Sequence, residues 1–165
     1  MSFLGNANFQ GGMGLWRAFN QAASVATAIG NDGSAFSGQN FLRFQTSKKG
    51  SSVAADFSPQ NQFLETWASD NTSVGGIVYP SALCAQAFIR SRPGLGEVSG
   101  TLAWWQLGLP NGKTNNPNIQ FTVGDSWTPI FLFIDLDQSV IPKVRLELYL
   151  DTLNTALDIG AVLVT

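Results

Sequence analysis

Residues 144–151 read Val-Arg-Leu-Glu-Leu-Tyr-Leu-Asp, with apolar and polar positions alternating without a break. A period of two puts every second side chain on the same face of an extended chain, so this stretch predicts a strand with one buried face. The segments 119–123, 130–134 and 157–164 predict further strands, separated by turns at Gly124-Asp125 and near Gln138 to Pro142. Upstream, residues 4–10 read as a short strand running into a Gly11-Gly12 turn, and 15–19 as a second. Residues 21–29 are Ala-rich, but Val25, Thr27 and Ile29 alternate and Gly30-Asn31-Asp32-Gly33 closes the segment as a turn, which favours a strand over a helical turn. Residues 41–45 and 52–57 flank Ser47-Lys48-Lys49-Gly50 as a predicted hairpin, and 82–90 and 100–107 add two more strands. Residues 58–76 carry no clear period, and a short helix over 61–68 and a long loop fit them equally.

Eight or more short strands joined by Gly, Asn and Pro turns predict an all-β fold, an antiparallel two-sheet β-sandwich of jelly-roll type. With 165 residues and one composition regime, the chain is expected to form a single domain, 1–165.

Composition narrows the function. Charged residues are 12% of the chain, about half the usual share, and the formal net charge is −2. No basic face is in sight, which argues against nucleic acid as a partner. There is no His, so Ser-His-Asp and Cys-His catalysis and the usual zinc sets drop out. Cys84 is single and flanked by Leu83 and Ala85, the setting of a core or half-core side chain. No apolar run is long enough to span a membrane, so membrane insertion is not expected. Met1-Ser2-Phe3-Leu4-Gly5 carries no signal-peptide pattern. A neutral, turn-rich β protein of this kind is expected outside cells or on a particle or virion surface.

Several landmarks then occur in a specific order: Asn6-Ala7-Asn8-Phe9-Gln10, Trp16, Phe36-Ser37-Gly38-Gln39-Asn40-Phe41-Leu42-Arg43, Gly50-Ser51-Ser52-Val53, Trp127, Leu146-Glu147-Leu148-Tyr149-Leu150 and Leu157-Asp158-Ile159. Together they resemble the carbohydrate-binding module families 4, 9, 16 and 22, which share a galactose-binding-like jelly roll. The resemblance implies a non-catalytic domain whose partner is a polysaccharide or surface glycan. It also implies a structural calcium held by an acidic residue of the first strand and an Asp of the last. Here the first position is Gln10, which leaves Asp158 as the charged candidate for metal binding.

Sugar recognition needs an exposed aromatic face beside amides, carboxylates or guanidinium groups on one sheet. In Trp104-Trp105-Gln106 adjacent residues point to opposite faces, so one Trp is expected in the core and the other outside. Arg145, Glu147, Tyr149 and Asp151 form the polar row of their strand, and the resemblance favours Asp151 as a sugar contact. Gln86, Phe88 and Arg90 are expected to extend that row into a cleft. Trp67 is either a loop anchor or a contact residue. Trp127 is expected in the core. Two other functions stay open: a structural surface protein, such as a virion decoration or appendage subunit with a protein partner or homo-oligomer, and a glycosidase using Glu147 and Asp151 as its carboxylates.

Overall fold

The computed structural model describes Leu4 and residues 8–19, 23–29, 34–59, 73–74 and 77–165, with backbone alone for 23–29, 73–74 and 77–78. Trp67 and most of the unpatterned stretch 58–76 lie outside these residues.

Among the described residues the elements in chain order are β1 (Trp16–Phe19), β2 (Ala23–Ile29), β3 (Asn40–Thr46), β4 (Ser52–Phe57), β5 (Ser73–Val74), β6 (Ile77–Val78), β7 (Ala82–Ser91), β8 (Val98–Leu107), β9 (Asn118–Val123), β10 (Thr128–Asp135), β11 (Lys143–Leu150) and β12 (Thr155–Val164), with a 3-10 turn at Pro110–Gly112. Two five-stranded antiparallel sheets face each other. Sheet A has the order β1-β4-β11-β8-β9 and sheet B the order β10-β7-β12-β3-β2, while β5 and β6 form a small separate ribbon. Thus β11 is the middle strand of one sheet and β12 the middle strand of the other. From β3 onward the two large sheets are filled largely by alternation, as expected of a jelly roll.

Between the sheets lies one apolar core. Leu42 and Phe44 of β3, Leu83 and Ile89 of β7, Leu102 and Trp104 of β8, Leu146 and Leu148 of β11, and Leu157 and Ile159 of β12 are essentially inaccessible. These are the inward members of the alternating segments. Each large aliphatic side chain so placed contributes roughly 1.5–3 kcal/mol.

Two local expectations are corrected. Residues 40–46 and 52–57 are strands but not a hairpin: β3 pairs with β2 and β12, whereas β4 pairs with β1 and β11. The intervening turn carries the chain from one sheet to the other, because both strands have a face to bury and the two sheets need one each. Thr46 Oγ1 accepts from the Lys48 amide at 3.0 Å, and Ser51 Oγ donates to the Lys48 carbonyl at 2.7 Å, which fixes this crossover. Of the short strand expected over 4–10, residues 5–7 lie outside the described residues, and 8–10 form a turn rather than a strand. Phe9 adopts a left-handed conformation (φ 60°) that turns its ring into the core, and the Gly12 amide donates to its carbonyl at 3.1 Å.

A second buried cluster lies on the outer face of sheet B. Asp158 of β12 sits directly between Arg43 of β3 and Arg90 of β7 in the strand register. Arg43 donates to both Asp158 oxygens, at 2.7 and 2.9 Å, and Arg90 Nε donates to Oδ2 at 3.3 Å. Trp127 and Phe41 cover the trio, the Arg90 guanidinium lying 4.3 Å from the Trp127 ring and 5.5 Å from that of Phe41. Phe36 stacks on Phe88 at 3.9 Å and meets Trp127 edge-on. Gly160, at the β12 bulge, lies beneath Phe36 and Trp127, where a Cβ would meet the Trp127 ring at 2.9 Å. Trp127 is therefore half-buried in this outer cluster rather than in the central core. Further along the same face, Phe131 and Phe133 of the edge strand β10 remain exposed, next to Cys84 and Gln86 of β7. Cys84 is half-buried, and burial pushes its thiol up, away from nucleophilic use.

Candidate functional site

The alternation that buries the Leu residues of β11 turns Arg145, Glu147 and Tyr149 to the outer face of sheet A. The β11–β8 register sets Arg145 opposite Trp105, Glu147 opposite Ala103, and Tyr149 opposite Thr101. On the other side β11 faces β4, with Arg145 opposite Asp56, Glu147 opposite Ala54, and Tyr149 opposite Ser52. Strand β9 extends the face by placing Asn118 opposite Ala103. Small residues occupy the middle, at Ala54 and Ala103, and large ones surround them. The result is an open depression of about 320 Å³ lined by Trp105, Tyr149, Asn116, Asn118, Lys49 and Asp151, with Thr101, Ala103 and Gly50 between them.

Trp105 and Tyr149 are both half-buried, and their exposed parts line this depression. The Trp105 indole nitrogen is buried and has no acceptor within hydrogen-bonding geometry. It lies near enough to the Tyr149 hydroxyl to favour its ionised form slightly. Burial, followed by the Glu147 carboxylate, outweighs this and raises the phenol far above its ordinary range. Tyr149 thus stays a neutral hydroxyl, able both to donate and to accept. Glu147, between Arg145 and Tyr149 on this face, is buried at 1% exposure and does not line the depression, and the Ser52 hydroxyl donates to its Oε1 at 2.5 Å.

One end of the face is built from ion pairs. Arg145 grips Asp56 with two hydrogen bonds, at 2.7 and 3.0 Å, Arg17 adds a third at 2.7 Å, and the Arg145 guanidinium stacks 4.0 Å from the centre of the Phe19 ring. The Arg145 hydrogen bonds hold the Asp56 carboxyl below the ordinary carboxylate value, against the opposing effect of partial burial, and Arg17 lowers it further. A depressed folded pKa means that the stabilisation is complete above the unfolded value of about 3.9 and is lost as pH falls through the lower folded value. An NMR titration of the Asp56 carboxyl carbon is therefore expected to give a midpoint below about 3.9, and a midpoint at or above that would show that the arginine pairs do not persist in solution.

Other sequence candidates are placed elsewhere. Trp104 is not a contact residue: it is fully buried, and its indole N–H donates to the Leu132 carbonyl at 3.0 Å. Gln106 shares its inward face. Its Nε2 donates to the Asp137 carbonyl at 2.7 Å, and its Oε1 accepts from the Asp137 amide and from Asn115, so it ties two loops together. Arg90, with Gln86 and Phe88, belongs to sheet B and cannot extend a row on sheet A. Asp158 is not a cation ligand, because both its oxygens accept from guanidinium groups and a metal ion there would face two positive charges. Among the described residues no three His, Cys, Asp or Glu side chains converge as a metal site. Trp105, Glu147, Tyr149 and Asp151 are brought together. Lys49, Asn116 and Asn118 join them unforeseen, since only the pairing of β8 with β9 and the path of the 47–51 crossover bring them to this face. The Asn-rich run 114–118 was the one visible signal.

No family model matches the sequence, and no curated protein matches it. Solved structures do. The CBM22-1 xylan-binding domain from Paenibacillus barcinonensis superposes with a TM-score of 0.65 at 12% identity, covering 99% of this chain and 89% of that one. The fold is the β-sandwich of carbohydrate-binding modules. A CBM61 module solved with β-1,4-galactotriose gives a TM-score of 0.61 at 12% identity, over 100% of this chain and 98% of the other. The enzymatically active domain of bacteriophage CBA120 tailspike protein 4 also contains the fold, with a TM-score of 0.61 at 11% identity, although only 21% of that chain is covered.

Proposed function

We propose that this protein is a non-catalytic carbohydrate-binding domain that holds a polysaccharide or surface glycan on the outer face of sheet A. The observation that carries the reading is the meeting of two partly exposed aromatics, Trp105 and Tyr149, with two Asn side chains, a Lys and an Asp around one depression. The ring faces suit the apolar side of a pyranose, while the amides, the phenol, Lys49 and Asp151 suit its hydroxyls. The solved structures of the same fold support this reading through the xylan and galactotriose named for them. A hydrolytic role finds less support, because Glu147 is buried beneath the face and engaged by Ser52. Binding of this kind suits an extracellular or particle-surface setting.

The test is titration calorimetry and affinity electrophoresis against xylan, β-glucan and β-1,4-galactan. Trp105→Ala is expected to weaken the best of these about tenfold to a hundredfold, corresponding to about 1.4–2.8 kcal/mol, with the melting temperature little changed. Undiminished binding by a folded Trp105→Ala would remove the depression as the site.

A second reading, a structural subunit of a virion or appendage, has in its favour the exposed Phe131 and Phe133 on the outer face of sheet B. A defined oligomer in sedimentation together with no affinity for any glycan would move the assignment there.

A further inference from the structure

At the end of the sandwich where β3 turns into β4, a larger depression of about 560 Å³ opens between three loops. It is lined by Gln45, Ser47, Arg92, Leu95, Asn154 and Thr155, with Thr46 beneath, whose hydroxyl is engaged by Lys48. We propose that this depression is a second saccharide site, specific for a carboxylate-bearing sugar such as a uronic acid residue. The proposal does not depend on the sheet A depression binding a glycan.

Three observations carry it. Thr155 is 7% exposed and its hydroxyl oxygen is buried without a hydrogen-bond partner among the described residues. Buried polar atoms are nearly always paired, and this hydroxyl, closed to solvent just behind a lining residue of the depression, finds a partner once a small shift of the wall admits a ligand group or a water. The only other such side-chain atom among the described residues is the Trp105 indole nitrogen, on the other depression. Next, Arg92 is the single formal charge of the lining, and its guanidinium makes no hydrogen bond or ion pair with a described residue. No lining residue is acidic, and Asp151, on the turn leading to Asn154, lines the other depression instead. A planar guanidinium is matched bidentately by a carboxylate.

Finally, the walls are pre-set. The Arg92 amide donates to the Ala156 carbonyl at 2.9 Å, the Leu95 amide to the Arg92 carbonyl at 3.1 Å, and the Asn154 amide to the Thr46 carbonyl at 3.0 Å. Asn154 itself is held in a left-handed turn (φ 58°). Leu95, 46% exposed, supplies one apolar surface among amides and hydroxyls. Such a mixture suits a sugar ring better than an acidic peptide, which would call for more than one cation. The same two turns, 47–50 and 151–154, border both depressions, so the sites are adjacent but chemically different.

The experiment is amide NMR of the full chain titrated with trigalacturonate, galactotriose, hexaglutamate and inorganic phosphate. Trigalacturonate is expected to shift the amides of residues 45–47, 92–96 and 154–156, equally in the wild type and in Trp105→Ala. Arg92→Gln, a surface change, is expected to weaken that binding at least tenfold, and Thr155→Val severalfold. The proposal is overturned if trigalacturonate leaves those amides unmoved, if galactotriose binds there as well as the acid does, or if Arg92→Gln binds as the wild type. Equal shifts with phosphate would reduce the depression to a simple anion site, and shifts with hexaglutamate alone would make it a peptide site. Either outcome overturns the sugar assignment. Failure of Trp105→Ala to affect neutral glycans would, by contrast, leave these results untouched.

Discussion

Asp158→Ala is expected to destabilise the fold by about 3–5 kcal/mol, because it leaves two guanidinium groups facing each other under an aromatic cover with no anion between them. Asp158 is fully buried, and the side chains of Arg90 and Arg43 retain only 8% and 23% of their exposure. Against a total stability of about 5–15 kcal/mol, this is a large share. For a domain of this size it lowers the melting temperature by roughly 6–20 °C, read by circular dichroism. A drop worth less than about 1 kcal/mol would mean that water already screens the trio. Replacing all three residues by apolar ones of similar volume is expected to recover part of the loss, since much of the cost of the single change is the stranded charge rather than a missing attraction.

Trp104→Ala and Trp105→Ala, one residue apart, are expected to act on different properties. Trp104 lies at 0% exposure between the sheets, edge-on to Phe57 at 6.0 Å, and donates a hydrogen bond to the facing sheet. Its removal opens a cavity and leaves the Leu132 carbonyl without that donor, at a cost of about 3–5 kcal/mol. Urea unfolding should show this as a lower midpoint with unchanged slope. Trp105 projects from the opposite face of the same strand, so Trp105→Ala should unfold close to the wild-type midpoint. Equal destabilisation by both would contradict the inward and outward assignment of β8.

That assignment was legible in the sequence because adjacent strand residues must point opposite ways, although which Trp turned inward was not. The pattern Val-Arg-Leu-Glu-Leu-Tyr-Leu-Asp likewise revealed both faces of β11. What alternation cannot show is which strand lies beside which, because any buried face will pair with any other. Hence 41–45 and 52–57 read as a hairpin, and Arg90 reads as part of a row that belongs to the other sheet. Asp158 misled for a different reason: an acidic residue on a last strand reads alike whether its partner is a cation in solution or two arginines brought by strands more than sixty residues away. The depression beside Arg92 left no trace in the pattern, since three loops build it and none carries a period.

The placement of β11 and β12 at the middle of the two sheets has a consequence for how the molecule comes into being on the ribosome. Neither sheet has its central strand until the last strands in chain order have been made. Before that, β1 with β4 and β2 with β3 are two-stranded fragments, of a kind that is marginal in water. Assembly of the two sheets must therefore wait for β11 and β12 and be slow for the number of residues involved, as expected where the defining contacts are remote in sequence. In that interval nascent strands stand open to chaperones and to one another.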